Sequence, residues 1–137
     1  MERRAGADAL GKMKSRRTTS ALMETLRDPN MVVRRSAMGA LLSLRAEEAV
    51  PRIARLLRDE SGGVRVLAAH VLGGFRDRRA VPALVRGLRD RKWYVRQAAA
   101  MALGKLGDRR AIPALHRAEK DPRPAVARAA RGALESL

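Results

Sequence analysis

The chain repeats itself every 31 residues, and a fixed period of that length admits few folds other than a stack of like units. Asp28, Asp59, Asp90 and Asp121 are spaced by that interval, and so are Val33, Val64, Val95 and Val126. The same register carries Arg34, Arg65 and Arg96, then Ala37, Ala68, Ala99 and Ala130. It continues through Leu41, Leu72, Leu103 and Leu134 to Leu44, Phe75, Leu106 and Leu137, and an Ala-Val-Pro or Ala-Ile-Pro step recurs at Pro51, Pro82 and Pro113. A single unit of this size cannot bury its apolar face alone, whereas a neighbour in the same register covers it, so a solenoid is expected.

Each unit reads as two helices. Val95, Ala99, Ala102, Leu103 and Leu106 form a stripe at helical spacing, as do Val81, Leu84, Val85 and Leu88 on the helix before it. The prolines fall in a first turn, where a missing N–H leaves no orphan. Gly107 stands where a left-handed helix end is expected, with Gly73 and Gly74 near the equivalent place one unit earlier. The four periodic aspartates precede the longer helices, where a carboxylate favours the positive end of the dipole. No segment alternates like a half-buried strand. The expected fold is all-α, with about seven or eight antiparallel helices in three and a half stacked repeats. Residues 20–137 divide into units of about 20–48, 49–79, 80–110 and 111–137. Residues 1–19 form either a capping helix through Ala5, Ala9, Leu10 and Met13 or a basic arm carrying Arg3, Arg4, Lys12, Lys14, Arg16 and Arg17. Ser20, after Thr18 and Thr19, offers an N-cap to the first repeat helix.

At these residues the chain resembles the HEAT repeat family, in its short phycobilisome-lyase form. The motif reads Asp90, Val95-Arg96, Ala99, Ala102-Leu103-Gly104, Leu106-Gly107-Asp108, Ala111-Ile112-Pro113 and Leu115, and the likeness spans roughly residues 20–137. It implies a right-handed α-solenoid with the first helix of each unit on the convex side and the second on the concave side. It also implies a structural polar ladder, with Asp28, Asp59 and Asp90 and with Arg34, Arg65 and Arg96 as its rungs. Losing a ladder partner is then expected to cost ~1–3 kcal/mol. The last unit departs from the pattern, with Ala127 in place of the ladder arginine and a more polar helix carrying Arg123, Arg128, Arg131 and Glu135, as a terminal cap requires.

Composition narrows the chemistry. There is no cysteine, which excludes a disulfide framework, a thiolate nucleophile and a Cys-based metal site. No Gly-rich phosphate loop, Ser-His-Asp set or paired-carboxylate cleft is visible. His70 and His116 stand without the His–Glu pairs of the metal-binding HEAT hydroxylases, and no cofactor is expected. With no secretory h-region and no membrane-length apolar run, a cytoplasmic protein is expected. Thirty basic residues against 14 acidic ones give a net charge of +16, rich in arginine. That excess fits an anionic partner, or equally an Arg-favouring codon usage whose long stems cover apolar surface.

Sorting the surface by repeat position gives two regions. The first helices carry Arg55, Arg86 and Arg117, each followed three residues on by Arg58, Arg89 or Lys120, and the turns add Arg78-Arg79 and Arg109-Arg110. The second helices show columns dominated by small, neutral and mildly apolar residues with little charge: Arg35, Val66, Gln97 and Arg128, then Gly39, His70, Met101 and Gly132, then Ser43, Gly74, Lys105 and Ser136. Trp93 and Tyr94 supply two of the three aromatics at positions outside the core, either as partner anchors or, for Trp93, as packing over the ridge between units. The leading reading is a non-catalytic scaffold that docks a protein or peptide on the concave face. Arg35, Val66, His70, Trp93, Tyr94, Gln97 and Met101 form the contact, and the basic edges favour an acidic partner. The alternatives are nucleic-acid binding through the arginine band and the N-terminal arm, and an accessory subunit of a lyase or modification complex.

Overall fold

A computed structural model describes the backbone of residues 2–137 and the side chains of Met13 and of residues 15–137. Eight α-helices follow one another with no strand among the described residues: α1 (Glu2–Thr25), α2 (Met31–Ser43), α3 (Val50–Arg55), α4 (Gly62–Phe75), α5 (Val81–Gly87), α6 (Trp93–Leu106), α7 (Ile112–Ala118) and α8 (Pro124–Glu135). They make four helix pairs rather than three and a half, because α7 and α8 complete a last unit. In each later pair a short first helix is followed by a long second one.

The periodic apolar residues build one continuous core. Leu41, Leu72 and Leu103 are fully buried, as are Val64, Val95 and Val126 and the alanines at 37, 68, 99 and 130. The outermost column is uneven: Phe75 is buried and Leu44 is exposed, so the core tapers at the first unit. Packing between the long helices depends on small residues. A Cβ at Gly73 would lie 3.1 Å from Ala102 Cα, and one at Gly104 would lie 3.1 Å from Ala133 Cα. The short helices are instead separated by open grooves, of ≈ 310 Å³ between α3 and α5 and ≈ 360 Å³ between α5 and α7. When one row of a helical array is packed backbone to backbone and the other is splayed, the array bends toward the closer row. The long helices α2, α4, α6 and α8 form the closely packed row, called the inner row below, and α3, α5 and α7 form the outer row.

Local signals held in part. Pro51, Pro82 and Pro113 all stand in first turns. Gly107 ends α6 at φ +64°, but the equivalent left-handed positions are Arg45 and Arg76, while Gly73 and Gly74 lie inside α4. The N-caps of the long helices are Asn30, Ser61, Lys92 and Arg123, two residues after the periodic aspartates. Each aspartate instead accepts the backbone N–H two residues on, in an Asx turn. Ser20 does not cap a separate helix, because α1 runs unbroken through it and Thr19 turns its side chain into the core. The side chains of Arg3, Arg4, Ala5, Ala9, Leu10, Lys12 and Lys14 lie outside the described residues, whereas Arg16 and Arg17 are exposed.

Candidate binding surfaces

Two ladders tie successive units together. In the first, the arginine of one unit reaches the aspartate of the next. Arg65 donates from Nε to Asp90 Oδ2 at 2.9 Å and from Nη2 to Oδ1 at 3.2 Å, while its Nη1 donates to the carbonyls of Asp59 and Glu60. Arg96 grips Asp121 in the same bidentate way at 2.8 and 3.2 Å. Arg34 is looser: Nη2 donates to Asp59 Oδ2 at 3.2 Å, but the Nε hydrogen is not aimed at Asp59 Oδ1, 3.1 Å away. No arginine reaches the Asp28 carboxylate, which accepts from the Asn30 N–H, while the Asp28 carbonyl accepts from Arg34 Nη1 at 2.7 Å. Burial lifts the Asp121 carboxyl, yet hydrogen bonds from Arg96 and from the Arg123 backbone bring it below the ordinary carboxylate value.

The second ladder has no counterpart among the sequence expectations. Arg79 and Arg110, placed in the basic band, are already engaged. Each closes on the aspartate two residues before it, Asp77 or Asp108, and each also donates to a backbone carbonyl in the preceding turn, that of Glu47 or Arg78. The sequence signal was available, since Asp-Arg-Arg recurs at 77–79 and 108–110. The Arg110 side chain and backbone N–H hold the Asp108 carboxyl down at about 2, from 3.8. A carboxyl depressed by folding contributes stability that is whole above its unfolded pKa and lost as pH falls toward the folded one. The melting temperature should therefore drop through the window from 3.8 to about 2. An Asp108→Asn variant, less stable at neutral pH, should lose less across that window in a calorimetric pH series; parallel curves for the two proteins would refute the assignment.

The remaining band residues, Arg55, Arg58, Arg86, Arg89, Arg109, Arg117 and Lys120, are exposed, and their side chains make no hydrogen bond or ion pair among the described residues. Arg78 is exposed and approaches Asp108 only to 4.0 Å.

On the inner row, α4 and α6 bring most of the expected contact residues together. Met101 is 44% exposed and Tyr94 36%; His70 is exposed, and Val66 and Gln97 are half-buried beside them. Arg35 is exposed on α2, at the edge of this patch. Burial and the nearby Lys105 charge lower the His70 pKa, which favours its neutral form. Trp93 is less free than Tyr94. The Arg123 guanidinium sits 4.5 Å above its ring, the Tyr94 ring meets it edge-on at 6.0 Å, and the Tyr94 hydroxyl occupies the space a Cβ on Gly62 would need. The aromatic pair thus bridges three units, and packing over the inter-unit ridge holds for Trp93. The helices α2, α4 and α6 contain no acidic residue. His116 on α7, read as isolated, places Nδ1 2.9 Å from Oε1 of Glu119, the residue that follows the helix.

Comparison with known proteins follows this geometry. A family model of HEAT repeats matches residues 1–65 and 51–135. A comparison with curated protein sequences returns no match. The complex of CpcE and CpcF of phycocyanin lyase from Nostoc sp. PCC7120 contains a chain similar at 28% identity and TM-score 0.75, over 86% of this chain and 52% of that one. Human deoxyhypusine hydroxylase is similar at 31% identity and TM-score 0.80, over 93% of this chain and 46% of that one. A designed armadillo repeat protein shares the fold at 21% identity and TM-score 0.59, over 85% of this chain and 63% of that one. This chain spans about half the length of the first two. With the family model covering almost every residue and the repeat visible in both ladders, the chain belongs to the HEAT repeat family.

Proposed function

We propose that this chain is a non-catalytic docking module that takes an acidic protein or peptide on the inner face of α2, α4 and α6. One observation carries the reading: exposed Met101 and Tyr94 on α6 and half-buried Val66 on α4 belong to a row whose helices α2, α4 and α6 hold no acidic side chain. Aromatic and methionine side chains of this kind form the apolar centre of protein interfaces, and Arg35, Lys105 and Arg128 around them steer a negatively charged partner. Trp93 is a support for Tyr94 here, since Arg123 already covers its ring.

A photo-crosslinking residue in place of Met101 should yield a discrete protein adduct in cells, one that Tyr94→Ala removes. The same residue in place of Arg109 should not. Truncating an interface anchor costs ~2 kcal/mol or more, so Tyr94→Ala should weaken the isolated complex at least tenfold at a temperature where the variant is folded. Equal adducts from both positions would overturn the reading.

A second reading has its own support. The likeness to a chain from the complex of two phycocyanin lyase proteins favours an accessory subunit in a lyase or modification complex. The same inner face would then be the subunit contact, and the crosslinked adduct would identify an enzyme subunit.

A further inference from the structure

The outer row has a different character from the inner one. Arg55, Arg86 and Arg117 occupy one repeat position, and Arg58, Arg89 and Lys120 the position three residues on. All six project into solvent unpaired among the described residues. Neither α3 nor α5 contains an acidic residue, and Glu119, just beyond α7, faces His116. Two carboxylates reach the grooves between these helices, Asp90 and Asp121, and both are held by Arg65 and Arg96 in bidentate pairs. Arg52 on α3 is paired with Glu24 of α1 at 3.7 Å, whereas the charge of these six side chains is uncompensated among the described residues.

We propose that the row formed by α3, α5 and α7 binds the phosphate backbone of duplex nucleic acid without reading its sequence. The grooves are floored by Ala54 and Ala83 and by Ala114 and Ala118, so the guanidinium groups rise above a shallow surface. A guanidinium presents a planar fork that matches two phosphate oxygens, and helices ~10 Å apart present such forks repeatedly along the array. A duplex offers a charge every ~1.7 Å of its axis, so several forks find partners at once. Two features select this occupant over an acidic protein. None of the large exposed apolar residues, Met31, Val32, Leu44, Tyr94 and Met101 among them, lies on α3, α5 or α7, so the face lacks the anchor a protein interface needs. Those helices also carry no Asn or Gln to read adenine edges and no Phe, Tyr or Trp, so the aromatic stacking platform that single strands use is missing and the arginines are left to the phosphates.

The test is fluorescence anisotropy of the full chain with a labelled random-sequence duplex across a salt series. The wild type should bind at low salt with a steep log–log salt slope. The triple variant Arg55→Glu, Arg86→Glu, Arg117→Glu should lower that slope by about 3, at roughly 0.9 per lost phosphate contact. The corresponding Arg→Lys triple should keep the slope, and Arg35→Glu with Arg128→Glu on the inner row should leave it unchanged. All these side chains are exposed, so circular dichroism melting should be alike for every variant. Absence of binding at low salt, or a slope untouched by the triple charge reversal, would overturn the proposal. So would displacement of the duplex by poly-glutamate at equal charge concentration, which would show a face that accepts any polyanion.

Discussion

Arg65→Ala is expected to lower the melting temperature by ~10 °C or more. Its side chain is 5% exposed and its four hydrogen bonds satisfy two carbonyls and both oxygens of Asp90. Removing one partner of a buried pair leaves the other charged and unsatisfied, at a cost of roughly 3–5 kcal/mol. For a chain of this length each kcal/mol shifts the midpoint by roughly 3–5 °C. The expectation exceeds the ~1–3 kcal/mol read from sequence because the structure shows two carbonyl acceptors in addition to the carboxylate. The other rungs should rank below it. Arg96 is 17% exposed, and Arg34 donates only one hydrogen bond to its aspartate. Differential scanning calorimetry of the three alanine variants checks the order, and a double-mutant cycle of Arg65→Ala with Asp90→Ala should show strong coupling. A shift of only a degree or two for Arg65→Ala would mean that water replaces the lost contacts and that the rung does not hold the units together.

Much of this architecture was written in the period. A column such as Leu41, Leu72 and Leu103 can be buried in every unit only if the units stack in register, and all three are buried. What the period could not convey is partner choice. Asp59 stands 25 residues after Arg34 and 6 before Arg65, and a repeating sequence offers both pairings equally. The structure uses both: Arg65 takes the Asp59 carbonyl and Arg34 takes its carboxylate. Left-handed helix ends at Arg45 and Arg76 were hidden because arginine carries no signal for that conformation, whereas Gly107 does. The aromatic pair was legible as an exception to the repeat but not as packing, because its neighbours Gly62 and Arg123 lie about one period away on either side. The outer arginines were legible one by one. Only the structure separates Arg79 and Arg110, which are tied into the second ladder, from Arg55, Arg86 and Arg117, which are not.

The double variant Gly73→Leu, Gly104→Leu is expected to destabilise the chain severely and to straighten it. Each glycine lies where two long helices meet backbone to backbone, with Ala102 and Ala133 opposite. A leucine cannot fit there unless the helices move apart, and forcing extra methylenes into such a contact costs typically ~1–3 kcal/mol per site. The α4–α6 and α6–α8 contacts lie on either side of α6, so the two penalties should largely add and lower the midpoint by ~10–20 °C. Gly73→Ala is the informative control. Its Cβ meets Ala102 at 3.1 Å, a contact that needs only a few tenths of an ångström of give. The ~1 kcal/mol that alanine gains over glycine in a helix then offsets the crowding and leaves stability nearly unchanged. Shape should respond along with stability. Spreading the inner row while the outer row keeps its spacing reduces the bend, so small-angle scattering should show a longer maximum dimension for the double leucine variant. A variant that melts early but keeps the wild-type scattering profile would show that the close approach at Gly73 and Gly104 does not set the curvature of the inner face.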